Sequence, residues 1–408
     1  MLTVITIQSR AGGTGKTCIG LSAAAQLAAV GRKVAFIELD AQGAHLGQCL
    51  PLGGVAVPDG EHLKFQCEDT SCSPSISYRD RPYLFWWLAG NPKARGRKAL
   101  QSGQRLVVSK VDKQRASNKG LSRLLETMIE HLTIFPASCY VSDIDEVNGM
   151  VLDRDHQRSY KNFLTNLTEV LLEEKYEFVF VDNAPGLSFN GGMSISWTTQ
   201  FSRSPQHNVQ VWIWAITRES WCEPGLLVYE LNAFEKIRTP VFPVLVVNRT
   251  PHPKWLGCFE RGMTTNIRDL CDRARTDQQA QNRLSELQSL FLDVPLWLGA
   301  GRNTEDLFRD FVLPSNFRIA VVGEDPTIAS VAVMEYSVES KENPTDEICT
   351  ALEGDGVRRW GRRTEEFVAQ FFLPAISKCN STGGVVDRYP TGFHGEVWSA
   401  LVKPLLEK

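Results

Sequence analysis

Residues 2–8 alternate branched apolar side chains with Thr and Gln, then meet Ser9-Arg-Ala-Gly-Gly-Thr-Gly-Lys-Thr17. A stretch rich in Ala and Leu follows, reaches Ala29 and stops near Gly31. The order is strand, glycine-rich loop, helix, and it leaves few folds open. Gly12, Gly13 and Gly15 let the backbone turn so that successive N–H groups point into one concavity, which suits an anion. The helix that starts near Lys16 adds the positive end of its dipole to that concavity. Lys16 brings a point charge for the β- and γ-phosphates of a nucleotide, and Thr17 a hydroxyl for Mg²⁺.

A second strand, Lys33-Val-Ala-Phe-Ile37, ends in Glu38-Leu-Asp40-Ala-Gln-Gly43. A carboxylate at the carboxyl end of a parallel strand, beside such a loop, can hold a metal-bound water or orient an attacking one. Together these runs resemble the deviant Walker A ATPases of the ParA/MinD type. In that family the loop reads K-G-G-x-G-K-[ST] and the second strand ends in D-x-D-x-Q-G. The resemblance implies an α/β fold, with a mostly parallel sheet flanked by helices on both faces, and ATP and Mg²⁺ as cofactors. It implies that Gly12, Gly13, Thr14, Gly15, Lys16, Thr17 and Cys18 surround the nucleotide phosphates, and that Asp40 is the switch I carboxylate near the water and the metal. Two positions depart from the pattern. The family's signature lysine, which reaches across a nucleotide-sandwich dimer to the partner's phosphates, is replaced by Ala11. Arg10, one residue earlier, is the candidate to supply that charge by another route. Glu38 stands where the family has Asp, a swap that keeps the charge.

Further along, Tyr176-Glu-Phe-Val-Phe-Val-Asp182-Asn-Ala-Pro-Gly186 runs four apolar residues into an acid and a turn, as a buried parallel strand does. The resemblance makes Asp182 the Walker B residue, a metal ligand with Thr17 and Asp40, and places the N–H of Gly186 toward the γ-phosphate. Val209–Ala215 and Val241–Asn248 read as two more buried strands, with a helical pattern over 217–236 between them. The family recognises adenine with Asn-Arg at the end of the latter strand, which makes Asn248 and Arg249 candidates; an Asn that simply closes a strand is the other reading. A polar helical stretch over roughly 262–290, then Val294–Leu298 and Phe317–Val322, complete the core. Between Asp40 and Asp182, the helix Gly120–Glu126, the strand in His131–Ser138 and an amphipathic helix over 158–175 match the remaining elements.

Four segments result: an ATPase core at 1–49 and 120–338, an insertion at 50–119 and a helical extension at 339–408. Within the insertion, 50–80 is rich in Pro, Gly, Ser and Cys, and Tyr83-Leu-Phe-Trp-Trp-Leu88 is an aromatic cluster suited to anchoring a protein partner. From Lys93 to Lys119 there are nine basic residues against one acid. Such a run serves as a solvated loop, a non-specific nucleic-acid footprint or a surface for an acidic partner. In the extension, Arg358-Arg-Trp-Gly-Arg-Arg363 either starts a solvated helix or pairs with phosphates or carboxylates. Residues 396–408 are expected to dock on the core, since Pro404 and the scarcity of basic residues argue against a membrane-surface helix.

Composition narrows the rest. Of 408 residues, 43% are hydrophobic and 22% charged, which fills a core and excludes a disordered chain. The formal net charge of −3 excludes a globally basic nucleic-acid binder. Ten scattered cysteines fit reduced thiols; only Cys67 and Cys72, near His62, stand close, and a zinc site would want a second such pair. No signal peptide and no uncharged apolar run long enough for a membrane span is legible, so a cytoplasmic protein is expected. The resemblance implies an ATP-binding, ATP-hydrolysing homodimeric switch that controls a protein partner or multi-protein system. The alternative, motivated by Ala11, is a nucleotide-binding adaptor with little or no turnover.

Overall fold

The apolar runs pair with one another in one sheet. The computed structural model describes residues 1–40, 46–50, 52–59, 62–66, 83–85, 102–106, 108, 114–116, 119–138, 154–186, 194, 196–198, 208–218, 241–248, 262, 264–291, 318–323, 325, 328, 367–379 and 392–407. In chain order the strands are β1 (Leu2–Gln8), β2 (Val34–Leu39), β3 (Leu52–Asp59), β4 (His62–Gln66), β5 (Gln104–Leu106), β6 (Leu132–Phe135), β7 (Phe178–Asn183), β8 (Val209–Arg218), β9 (Val241–Asn248), β10 (Thr264–Asn266) and β11 (Arg318–Val322). The α-helices are α1 (Lys16–Ala29), α2 (Leu46–Cys49), α3 (Lys119–His131), α4 (Arg154–Glu173), α5 (Ile267–Arg273), α6 (Gln278–Phe291), α7 (Leu373–Ser377), α8 (Phe393–Val397) and α9 (Lys403–Leu406).

The sheet order is β10-β11-β9-β8-β1-β7-β2-β6-β5-β3-β4. From β11 to β6 every neighbouring pair is parallel, and β10 at one edge and β5, β3 and β4 at the other are antiparallel. Buried parallel strands carry apolar side chains on both faces. Accordingly Ile5 and Phe36 on one face and Val4 and Ile37 on the other are all 0–1% exposed. On the α1 face Phe36 stacks on Phe180 with ring centroids 6.2 Å apart, and Phe180 meets Trp214 edge-on at 5.7 Å. The connection β1-α1-β2 advances across the sheet, whereas β6-α4-β7 returns, so the right-handed crossover rule puts α4 on the opposite face from α1. Phe163, Leu164, Leu167 and Leu171 form the buried stripe of α4.

The segment 50–119 is partly built into this sheet. Strands β3, β4 and β5 extend its edge beyond β6. Tyr83, Leu84 and Phe85 are 0–1% exposed, and the N–H groups of Leu84 and Phe85 donate to the carbonyls of Pro136 and Ala137 at 3.1 and 3.0 Å. These three residues therefore belong to the core and are not a free anchor for a partner; Trp86, Trp87 and Leu88 lie outside the described residues.

The C-terminal helices cover α1. Val368–Phe372 and Trp398–Val402 wind as π-helical turns leading into α7 and α9, each of which carries a proline in its first turn. A proline cannot donate to the carbonyl four residues back and its ring crowds that carbonyl, and a wider turn relieves both problems. The carbonyl of Ala400, four residues before Pro404, accepts instead from the Thr264 hydroxyl. Gln26 on α1 donates to the carbonyl of His394 at 2.8 Å, and the Ser22 hydroxyl lies 2.8 Å from His394 Nδ1. Glu396 accepts from the N–H of Gly323, just past β11, at 2.6 Å. The tail thus docks on the helix that follows the glycine-rich loop, as expected from its sequence. Among the described residues no helix is long and apolar enough to cross a membrane.

Candidate functional site

The loop between β1 and α1 is shaped by where its carbonyls go. Gly13 and Gly15 take φ of +67° and +91°, values that side chains rarely allow. The carbonyl of Ala11 accepts from the Ser9 hydroxyl at 2.8 Å. The carbonyl of Gly13 accepts from Arg218 at the end of β8, through Nε at 3.0 Å and through Nη2. The carbonyl of Thr14 accepts from Asn248 Nδ2 at the end of β9, at 2.7 Å. Every peptide bond here is trans, and in a trans unit the C=O and the following N–H point oppositely. With the three carbonyls drawn to side chains, the N–H groups of Gly12, Thr14 and Gly15 each point away from the side chain that holds the carbonyl, an orientation that suits an anion nest. The N-terminus of the 14-residue α1 adds to it: no side chain caps this end and no acid lies in its first turn.

Lys16 is 6% exposed and enters no hydrogen bond or ion pair among the described residues. An anion in the adjoining loop would give this largely buried side chain a counter-charge. Thr14 Oγ1, also buried, has no hydrogen-bond partner among the described residues.

Parallel pairing brings the acids to the same end of the sheet. Asp182 on β7 is level with Ile7 of β1 and Glu38 of β2, and Asp40 follows β2 directly. The Thr17 hydroxyl donates to Asp182 Oδ2 at 2.6 Å, and Asp182 and Asp40 are 1% and 7% exposed. Two hard oxygen donors held this close beside an anion nest fit Mg²⁺, which takes one or two protein oxygens and fills its octahedron with phosphate oxygens and water. Among the described residues no three His, Cys, Asp or Glu side chains cluster as a full protein cage for a metal would require. Cys67 and Cys72 lie outside the described residues.

Glu38 has a different task. Its Oε1 accepts from the N–H of Leu46 at 3.1 Å and its Oε2 from the N–H of Ala137 at 2.9 Å, at 1% exposure. It ties the start of α2 and the segment after β6 to the end of β2. A shorter Asp would lack the reach to hold both.

Two expected nucleotide contacts are engaged within the protein. The N–H of Gly186, expected to face a γ-phosphate, donates to the carbonyl of Ser9 at 2.7 Å. Asn248, expected at the adenine edge, is 2% exposed and turns its amide nitrogen to the loop, because β9 lies next to β8 on the loop side of the sheet. Arg249 lies outside the described residues. Arg10 is exposed and Cys18 half-buried. Arg218 was not foreseen; its signal is a basic residue closing the apolar strand Val209–Arg218. Of the basic run, Arg105 is a partly buried residue of β5, Arg115 and Lys119 are exposed, and the other six lie outside the described residues, as does 358–363.

A glycine-rich loop leads from β1 into α1, with the acid-tipped β7 beside β1 and β2 beyond it. This is a P-loop NTPase fold. No family model and no curated protein matches the sequence. Solved structures with a similar fold include the cell division ATPase MinD of Pyrococcus furiosus, at 15% identity, covering 93% of this chain and 99% of that one with a TM-score of 0.41. A plasmid partition protein of Borrelia burgdorferi matches at 14% identity, over 72% of this chain and 99% of that one, with a TM-score of 0.38. The cobyrinic acid a,c-diamide synthase of Mycobacterium smegmatis, solved with an ATP analogue and magnesium, matches at 14% identity, over 62% and 78%, with a TM-score of 0.33.

Proposed function

We propose that the protein binds ATP with Mg²⁺ at residues 12–18 and hydrolyses it as a dimeric switch of the ParA/MinD kind that controls a protein partner. The observation that supports this reading is the largely buried Lys16 side chain, without an ion-pair partner among the described residues, at the end of a loop whose carbonyls are held by side chains and whose N–H groups are left to face an anion. The N–H groups of Gly12, Thr14 and Gly15 would receive phosphate oxygens, and Lys16 would offset the charge of the β- and γ-phosphates. Thr17 and Asp182 would hold Mg²⁺, with Asp40 near it; the bound ion would supply Lewis-acid stabilisation of the phosphoryl oxygens. Asp40, at the carboxyl end of β2, would orient the attacking water. Arg10 and the exposed face of the loop would meet the partner subunit.

The bond from Gly186 to Ser9 is compatible with such a switch. The N–H of Gly186 serves either the Ser9 carbonyl or a γ-phosphate, so a change of nucleotide would change the partner of the segment after β7. A second reading, a nucleotide-binding adaptor without turnover, draws on Ala11, which removes a cation from the loop. Phosphate release at steady state, measured beside light scattering in the apo, ADP and ATP states, separates the readings. Turnover lost in Asp40→Ala together with an ATP-dependent doubling of mass supports the switch. Tight ATP binding without phosphate release supports the adaptor, and a mass indifferent to nucleotide counts against the switch.

A further inference from the structure

We propose that Arg218, with Asn248 beside it, is a positioning residue that sets the affinity of the loop for nucleotide phosphates by holding its peptide units in the binding orientation. The inference rests on the reading of the loop as a phosphate site and adds how the site is kept formed. Arg218 and Asn248 are register partners on the neighbouring strands β8 and β9, and they hold two successive carbonyls, those of Gly13 and Thr14. Each bond fixes the direction of one planar peptide unit, and so aims the N–H of Thr14 and of Gly15 into the nest.

The sequence of the loop answers to these two side chains. A Cβ at Gly13 would lie 3.0 Å from Arg218 Nη2, and one at Gly15 would lie 2.2 Å from Asn248 Nδ2. The glycines therefore admit the side chains from β8 and β9 as well as the positive φ. Arg218 suits the task because its fork presents two N–H donors to one carbonyl without a flexible ammonium's loss of order. Its partner is a neutral carbonyl, and its reach to the nest passes through the backbone. Asn248 also acts through the loop and not on the nucleotide base.

Preorganisation of this kind acts on the nest as a whole, so ATP and ADP, which share the β-phosphate, lose affinity together. The test is calorimetric titration of Mg-ATP, Mg-ADP and inorganic tripolyphosphate into the full chain and its Arg218→Ala, Arg218→Lys and Asn248→Ala variants. Arg218→Ala is expected to weaken ATP and ADP alike by about tenfold, as loss of a charge-assisted hydrogen bond does. The melting temperature of the nucleotide-free variant should stay that of the parent, and Arg218→Lys, which keeps a cationic donor but not the planar fork, should recover part of the loss. Asn248→Ala gives the same pattern where Arg218→Ala fails to fold. ATP affinity within twofold of the parent in both alanine variants overturns the inference and leaves the loop as the site. A loss confined to ATP overturns it as well, since it marks Arg218 as a direct γ-phosphate contact. A parent that binds none of the three ligands removes the phosphate reading itself and this inference with it.

Discussion

At the scale of residues, buried polar groups carry the account. Glu38 satisfies two backbone N–H groups from separate segments, and Glu38→Gln would turn an amide donor toward one of them. That leaves a buried donor without an acceptor and should cost roughly 1–3 kcal/mol, read as a lower urea midpoint at unchanged slope. His394 is a second case. Burial, with a smaller contribution from Lys378, pushes its imidazole down to about 4, against an opposing pull from Asp325. The folded protein therefore holds it neutral where the unfolded chain, titrating near 6.5, takes up a proton. Its share of stability is complete above about pH 6.5 and is lost as the pH falls toward 4, by roughly 3 kcal/mol in all. Chemical denaturation from pH 7 to pH 4 should show that slope, and His394→Gln should flatten it.

At the scale of elements, the helices that end the chain are a lid on α1, the helix that also carries Lys16 and Thr17. Phe393, Val397, Leu401, Val402 and Leu405 are buried in the same core cluster as Leu21 and Leu27 of α1. Removing residues 392–408 would expose that face, so the truncated protein should melt lower and bind a hydrophobic dye that the full chain does not. The docking of this tail was legible, because its apolar residues recur at helical spacing; Pro404, expected to interrupt the run, instead lies in the first turn of α9, and Leu405 beyond it is buried. Strands β1, β2, β7, β8, β9 and β11 were legible too, since each is a short apolar run ending in a turn or an acid. The pairing of β3, β4 and β5 was not: Leu52–Asp59 contains two glycines and a proline, and its partner Gln104–Leu106 lies far along the chain. Burial of Tyr83–Phe85 escaped for a related reason, as an aromatic cluster looks alike whether a partner or the molecule's own core covers it.

At the scale of the whole molecule, the sheet order makes the site. Residues 9–17, 182, 218 and 248 come from four parallel strands and their following loops, and β9-β8-β1-β7 brings their carboxyl ends together. The meeting of Thr17 with Asp182 was legible, because the two motifs bring a hydroxyl and an acid to the same end of the sheet. The contacts of Arg218 and Asn248 with the loop were not, because they depend on which strands become neighbours and not on spacing along the chain. This junction is expected to bind a nucleotide through Lys16 and Mg²⁺. Equilibrium titration of ATP into the parent protein and Lys16→Ala, with and without Mg²⁺, tests it most directly. Saturable binding to the parent is expected, weakening when Mg²⁺ is withdrawn and falling by at least about a hundredfold in a folded Lys16→Ala, the loss expected when a direct charge contact to phosphate goes. Equal affinity in the two proteins, or no binding by a folded parent, would contradict it.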